Sequence, residues 1–181
     1  MTLLPPLPFA CVAADPPWAF GDRLPGPGRG AAKHYATLSL DELCTFARPP
    51  IADDAWLFLW RVASQVEEAY RVVRAWDFVA KSEIVWLKRT AAGKRWFGMG
   101  RSVRAEHEIA IVAKRGRPTT LSRSIRSTFE AEVPERGHSA KPEAFYALVE
   151  ALVPGPRLEL FARRHRPGWT CLGDELAAGA A

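Results

Sequence analysis

The chain has 181 residues, 48% hydrophobic and 25% charged, a composition that suits one folded domain spanning 1–181 and burying about two-thirds of its unfolded surface. No apolar run approaches the roughly 20 residues of a membrane span, Met1 to Pro8 has neither the basic nor the long apolar region of a signal peptide, and the three cysteines, Cys11, Cys44 and Cys171, form no C-x-x-C pair, which points to a reducing cytoplasm and assigns no metal ligands. The net charge of +5 and the pI near 9.4 favour a polyanionic partner.

From the N-terminus, Phe9 to Ala14 is uniformly apolar or small, the pattern of a parallel strand covered on both faces, and it stops at Asp15-Pro16-Pro17-Trp18. Pro16 pushes Asp15 out of the helical region, and both prolines fix φ without offering an N–H. The expectation is a rigid row of outward acceptors, the Asp15 carboxylate and the proline carbonyls, beside the face of Trp18. Such a row suits a planar ring bearing an amino group, its hydrogens held by the acceptors and its face stacked on the indole.

Gly21 to Lys33 is rich in glycine, proline and basic residues and reads as a mobile loop. Ser39, with Glu42 three residues on, marks a capping box and a short helix. Asp53-Asp54 reads as a turn before a buried strand, Ala55 to Trp60. Apolar residues at 66, 69, 70, 73 and 76 then predict a helix over Gln65 to Trp76, and Ser82 to Lys88 the next strand of a βαβ unit.

Between Lys88 and Arg126 lie eleven Lys and Arg (88, 89, 94, 95, 101, 104, 114, 115, 117, 123, 126) against two acids, Glu106 and Glu108. The loop within it interleaves Trp96, Phe97 and Met99 with basic residues, as a nucleic-acid contact would, so about 88–128 reads as a nucleic-acid-binding or interface insertion. Gly98-Met99-Gly100 is no dinucleotide fingerprint, because no third glycine and no helix follow. A strand over Glu106 to Ala113, a basic turn at Lys114 to Pro118, a loop over Thr119 to Thr128 and a short edge strand at Glu130 to Val133 complete this region. A helix over Pro142 to Val153 and strands at Arg157 to Ala162 and Trp169 to Leu172 close the chain, before a tail at Ala177 to Ala181.

Asp15-Pro16-Pro17-Trp18, His138-Ser139-Ala140-Lys141-Pro142, Leu158-Glu159-Leu160-Phe161-Ala162-Arg163 and Gly168-Trp169 with Leu172-Gly173 come in an order and spacing that resemble the DPPW-type N6-adenine methyltransferase family (MT-A-type). That family is named for the catalytic subunit of the eukaryotic mRNA N6-adenosine methyltransferase and has bacterial and phage members. The resemblance covers Phe9 to Leu176. It implies an α/β fold, a Rossmann-like S-adenosylmethionine-dependent methyltransferase sheet with permuted motif order and helices on both faces. The strand before Asp15 and the strand at Leu158 to Ala162 should then lie side by side and parallel.

The same resemblance assigns roles. Asp15, Pro16, Pro17 and Trp18 form the catalytic loop, and S-adenosyl-L-methionine is the cofactor. Lys141 and Arg163 meet its carboxylate, His165 and Asp174 or Glu175 reach the ribose hydroxyls, and Asp15 and Phe161 are further cofactor-binding residues. Tyr35 lines the acceptor pocket, and Trp60, Lys88, Arg95, Trp96, Arg101 and Arg104 are the other candidate substrate contacts. At the positions of Asp174 and Glu175 the eukaryotic members carry amides, and their acidic residue upstream of the first strand has no counterpart in Met1 to Pro8. The implied reaction is methylation of the N6 amine of adenine in nucleic acid, DNA ahead of RNA, with pairing to a second subunit through the 90–105 loop as a further expectation. The alternatives are methylation of another base or of a small-molecule amine, and a nucleic-acid-binding partner subunit without catalysis.

Overall fold

Phe9–Ala14, almost without polar atoms, forms β1, and only Ala10 in it is more than marginally exposed. A computed structural model describes residues 8–19, 37–98, 102–134, 140–174 and 176. After β1 come α1 (Leu40–Thr45), β2 (Ile51–Arg61), α2 (Val66–Ala75), β3 (Val79–Arg89), β4 (His107–Arg115), β5 (Thr128–Glu132), α3 (Glu143–Leu152), β6 (Arg157–Leu160) and β7 (Trp169–Leu172). The strands make one sheet in the order β5-β3-β4-β2-β1-β6-β7.

β1 pairs parallel with β2 on one side and with β6 on the other, as the permuted motif order requires. Both its faces are covered, which is why its sequence shows no alternation. Val12 and Ala14 pack with Leu57, Leu59, Leu158 and Leu160 under α1 and α2, through Leu43, Ala69, Val72 and Val73. Cys11 and Ala13 pack on the opposite face with Phe58, Trp60 and Trp86 under α3, through Phe145, Tyr146 and Val149. The capping box forms as the sequence predicts, Ser39 receiving the Glu42 N–H and Glu42 reaching back to the Ser39 N–H at 2.8 Å.

Two details depart from the sequence reading. β2 and β3 are not neighbours, because β4 runs antiparallel between them. This reversal carries the first residues of β4 to the edge where the parallel strands end, and so to the site. Asp53-Asp54 is not a turn before β2 but part of it; Asp54 Oδ1 accepts the Arg117 N–H at 2.6 Å and secures the turn at Gly116, whose φ is +57°. A carboxylate is tolerated in that strand because it supplies the turn with an acceptor. The expected loop over Gly21 to Lys33 and the tail at Ala177 to Ala181 lie outside the described residues.

Candidate active site

At the carboxyl edge of the sheet a cleft of about 350 Å³ is lined by Asp15, Pro16, Pro17 and Trp18 after β1, Arg61 at the end of β2 with Val62 and Ala63 after it, Lys88 from β3, His107, Glu108 and Ile109 from β4, Ala105, Lys141 and Arg163. Its size suits a small ligand, and its position is where open α/β sheets bind them.

The loop after β1 is built more tightly than the sequence suggests. Pro16 C=O accepts the Trp18 N–H at 2.8 Å, a three-residue turn centred on Pro17, and Pro17 C=O accepts the Leu38 N–H at 2.9 Å. The proline carbonyls therefore do not stand unpartnered; each keeps one lone pair. Trp18 is corrected more firmly. Its ring is 4% exposed, belongs to the core under α1 and α2, and donates its indole N–H to Trp60 C=O at 3.0 Å. A ring so held fixes the loop and exposes little surface on which a base could stack.

The central feature is a chain of charges from three strands and one helix start. Lys141, just before the α3 N-cap Pro142, is 8% exposed, and its Nζ lies 2.7 Å from Asp15 Oδ2 and 3.2 Å from Glu108 Oε2. Lys88 Nζ lies 2.5 Å from Glu108 Oε1. Trp60, at 2% exposure, sits under the Lys141 ammonium, its ring centroid 5.1 Å away. Burying an ammonium costs several kcal/mol; two carboxylates and a ring face offset that cost. Burial pushes the Asp15 carboxyl above its usual range even with Lys141 beside it, and Glu108 adds to the rise. For Glu108 burial acts upward too, but Lys141 and Lys88 together outweigh it and hold it low. Lys141 is held above the usual range because Asp15 and Glu108 outweigh its own desolvation.

The structure thus brings Asp15, Pro16, Pro17, Trp18, Lys88, Lys141 and Arg163 to one cleft. Trp60 is corrected as a substrate contact: it is in the core on the α3 side and acts beneath Lys141. Phe161 has φ +61° and packs on Phe46, ring centroids 4.8 Å apart. His165 and Asp174 are exposed and do not line the cleft. Arg95 pairs with Glu106 at 3.7 Å, Arg104 lies over the exposed Phe97 ring at 5.1 Å, and Trp96 is half-buried; none of the three lines the cleft. Tyr35, Arg101 and Glu175 lie outside the described residues. Among the described residues no group of three or more His, Cys, Asp or Glu is placed to hold a metal ion, and no helix is long and apolar enough to cross a membrane.

Sequence reasoning missed Glu108 and Arg61. Glu108 did leave a trace, as one of two acids within the basic stretch. Arg61 left none, because the end of a buried strand gives no sign of which cleft it borders.

A search by family finds the MT-A70 family model matching residues 9–175. The chain belongs to the MT-A70 family. Among MT-A70 relatives it is 34% identical to the N(6)-adenosine-methyltransferase MT-A70-like protein of Drosophila melanogaster, over 93% of this chain and 27% of that protein. Against the human N(6)-adenosine-methyltransferase catalytic subunit METTL3 the values are 33%, 93% and 28%. It is 30% identical to the type II methyltransferase M.MunI of Mycoplasma sp, over 96% of this chain and 80% of that one. The chain therefore spans about a quarter of the length of the animal relatives and four-fifths of the mycoplasmal one. The MT-A70 match begins at β1 and ends after β7, so it takes in every strand and helix that lines the cleft.

Proposed function

We propose that this MT-A70 domain transfers a methyl group from S-adenosylmethionine to the N6 amine of adenine in nucleic acid. The observation that carries the reading is the Asp15 carboxylate, ending a buried central strand and held through one oxygen by Lys141. The residues present fit the donor. Arg163, just past β6, supplies a guanidinium fork for its carboxylate, and the turn holding Arg163 is fixed by Gly173, where a Cβ would meet Ala162 O at 2.1 Å. Bound there, the donor supplies a methyl group on a sulfonium.

The chain's part is positioning and electrostatics. The exocyclic amine of adenine is conjugated with its ring and poorly nucleophilic. Asp15 Oδ1 and the remaining lone pair of Pro16 C=O accept its two hydrogens, which localises the nitrogen lone pair and aims it. Lys141 keeps the Asp15 carboxylate oriented by holding Oδ2. After transfer of the methyl group the surplus proton of the amine would pass to water, so Asp15 need not be fully protonated. A base in a duplex must first be flipped out, at a cost of a few kcal/mol.

A partner subunit without catalysis is disfavoured because Asp15-Pro16-Pro17-Trp18 is intact and faces a formed cleft. DNA ranks ahead of RNA because the resemblance extends over four-fifths of the type II methyltransferase. The test is incubation with labelled S-adenosylmethionine and matched DNA and RNA, followed by nucleoside analysis. N6-methyladenine in either polymer supports the reading, label in DNA first; no label in either sinks it.

A further inference from the structure

Arg61 ends β2, on the opposite side of β1 from β6, so the cleft is lined by one arginine on the β2 side of Asp15, Arg61, and one beyond β6, Arg163. The cleft walls carry four cations, Arg61, Lys88, Lys141 and Arg163, against two carboxylates, Asp15 and Glu108. Lys141 is shared by both carboxylates and Lys88 is paired with Glu108. Neither cleft carboxylate is paired with Arg61.

Arg61 is only loosely satisfied. Its side chain is 12% exposed, and its one ion pair among the described residues, Nη2 to Glu83 Oε1, is long at 3.4 Å. Glu83 also accepts the Tyr70 hydroxyl at 3.3 Å and lines a separate hollow with Ala80 to Ser82, not the cleft. Arg61 Nε is buried without a hydrogen-bond partner. A guanidinium has five donors, and leaving them so far from water with so little in return is unfavourable unless an anion completes the set.

We infer that Arg61 binds a backbone phosphate of the acceptor strand, next to the nucleotide whose base enters the cleft, on the side of Asp15 away from the methyl donor. This rests on the proposed nucleic-acid reading. The sheet order separates the two anions: Arg163 on the β6 side takes the donor carboxylate, and Arg61 on the β2 side takes the phosphate. A planar fork at this point fixes the register of the strand as well as attracting it.

The probes are single-stranded oligonucleotides with one adenine, fully charged or with a neutral methylphosphonate in place of the phosphate on the 5′ or the 3′ side of that nucleotide. Affinities are measured for the wild type, Arg61→Gln and Arg61→Lys, with S-adenosylmethionine affinity and melting temperature on the same samples. In the wild type one of the two neutral linkages should weaken binding about tenfold. Arg61→Gln should lose that much with the charged strand and show no further loss with the neutral one, while Arg61→Lys keeps part of the difference. S-adenosylmethionine affinity should stay unchanged in both variants. Equal sensitivity to the linkage in wild type and Arg61→Gln overturns the inference, as does a loss of S-adenosylmethionine affinity, which would make the donor carboxylate the anion. A wild type that shows the linkage effect but transfers no methyl would refute the methyltransferase reading and leave the phosphate contact standing.

Discussion

Lys141 holds Asp15 through Nζ to Oδ2 at 2.7 Å and, among the described residues, divides its charge with Glu108 at 3.2 Å. An ammonium committed wholly to Asp15 would make that carboxylate a poor acceptor for a neutral amine. Shared with Glu108, it orients Asp15 and leaves the other oxygen able to accept. Glu108 is in turn balanced by Lys88, so three strand edges and the start of α3 set the state of one side chain.

Two substitutions should move the pH dependence of methyl transfer in opposite directions. In the proposed reaction Asp15 must be ionised to accept the amine, so activity should fall on the acid side as pH drops through its raised pKa. Glu108 raises that pKa and Lys141 lowers it. Glu108→Gln should shift the acid limb to lower pH, and Lys141→Met should shift it upward while lowering the maximal rate. Rates measured from pH 4 to 8 check this; two limbs moving the same way would contradict the shared-ammonium account.

Stability should follow the opposite sign for Glu108 itself. Its folded pKa is depressed, so it contributes stability above its unfolded pKa, and that contribution fades as pH falls toward the folded value. The gap in melting temperature between wild type and Glu108→Gln should therefore narrow as pH is lowered. A gap independent of pH would show that the pair adds no charge-linked stability.

What the sequence displayed and what it hid can be put in physical terms. Runs such as Phe9 to Ala14 and Ala55 to Trp60 announce buried strands, and the spacing 66, 69, 70, 73, 76 announces α2, because burial and periodicity are local. Strand neighbourhood is not local: nothing in His107–Arg115 says that it lies antiparallel between β2 and β3, so the arrival of Glu108 beside Lys141 could not be read. Asp15 was legible because two prolines and an aromatic at the end of an apolar strand are costly unless used. Trp18 was misjudged for a related reason, since a ring after a turn gives no sign of whether the next core will swallow it.

Trp18→Phe separates the two roles proposed for that ring. Phe retains a flat aromatic face but cannot donate to Trp60 C=O, leaving a buried acceptor unmet. The expected cost is about 1–3 kcal/mol in urea unfolding, with substrate binding reduced only through the loosened loop. If stability were unchanged and base binding lost, stacking would be the dominant role instead.

The turn that presents Arg163 supplies a last pair of outcomes. Phe161 holds φ +61°, a conformation uncommon for an aromatic residue and worth about 1–3 kcal/mol of strain. Ala162 N donates to Leu172 C=O at 2.9 Å, and Gly173 packs against the Ala162 backbone so closely that a Cβ would lie 2.1 Å from its O and 2.6 Å from its N. Backbone atoms cannot move aside as a side chain can, so Gly173→Ala must push residues 161–163 out of place and take Arg163 from the cleft. S-adenosylmethionine affinity should fall at least about tenfold, the scale of one charge-assisted contact. Gly168→Ala is the control, because Gly168 also has positive φ, +76°, but nothing within 4 Å of its Cβ position. It should cost about 1–2 kcal/mol of stability for the left-handed backbone and leave affinity for S-adenosylmethionine as it was. Calorimetric titration beside thermal melts checks both; equal affinity losses in the two variants would mean that general destabilisation, not the placement of Arg163, is being read.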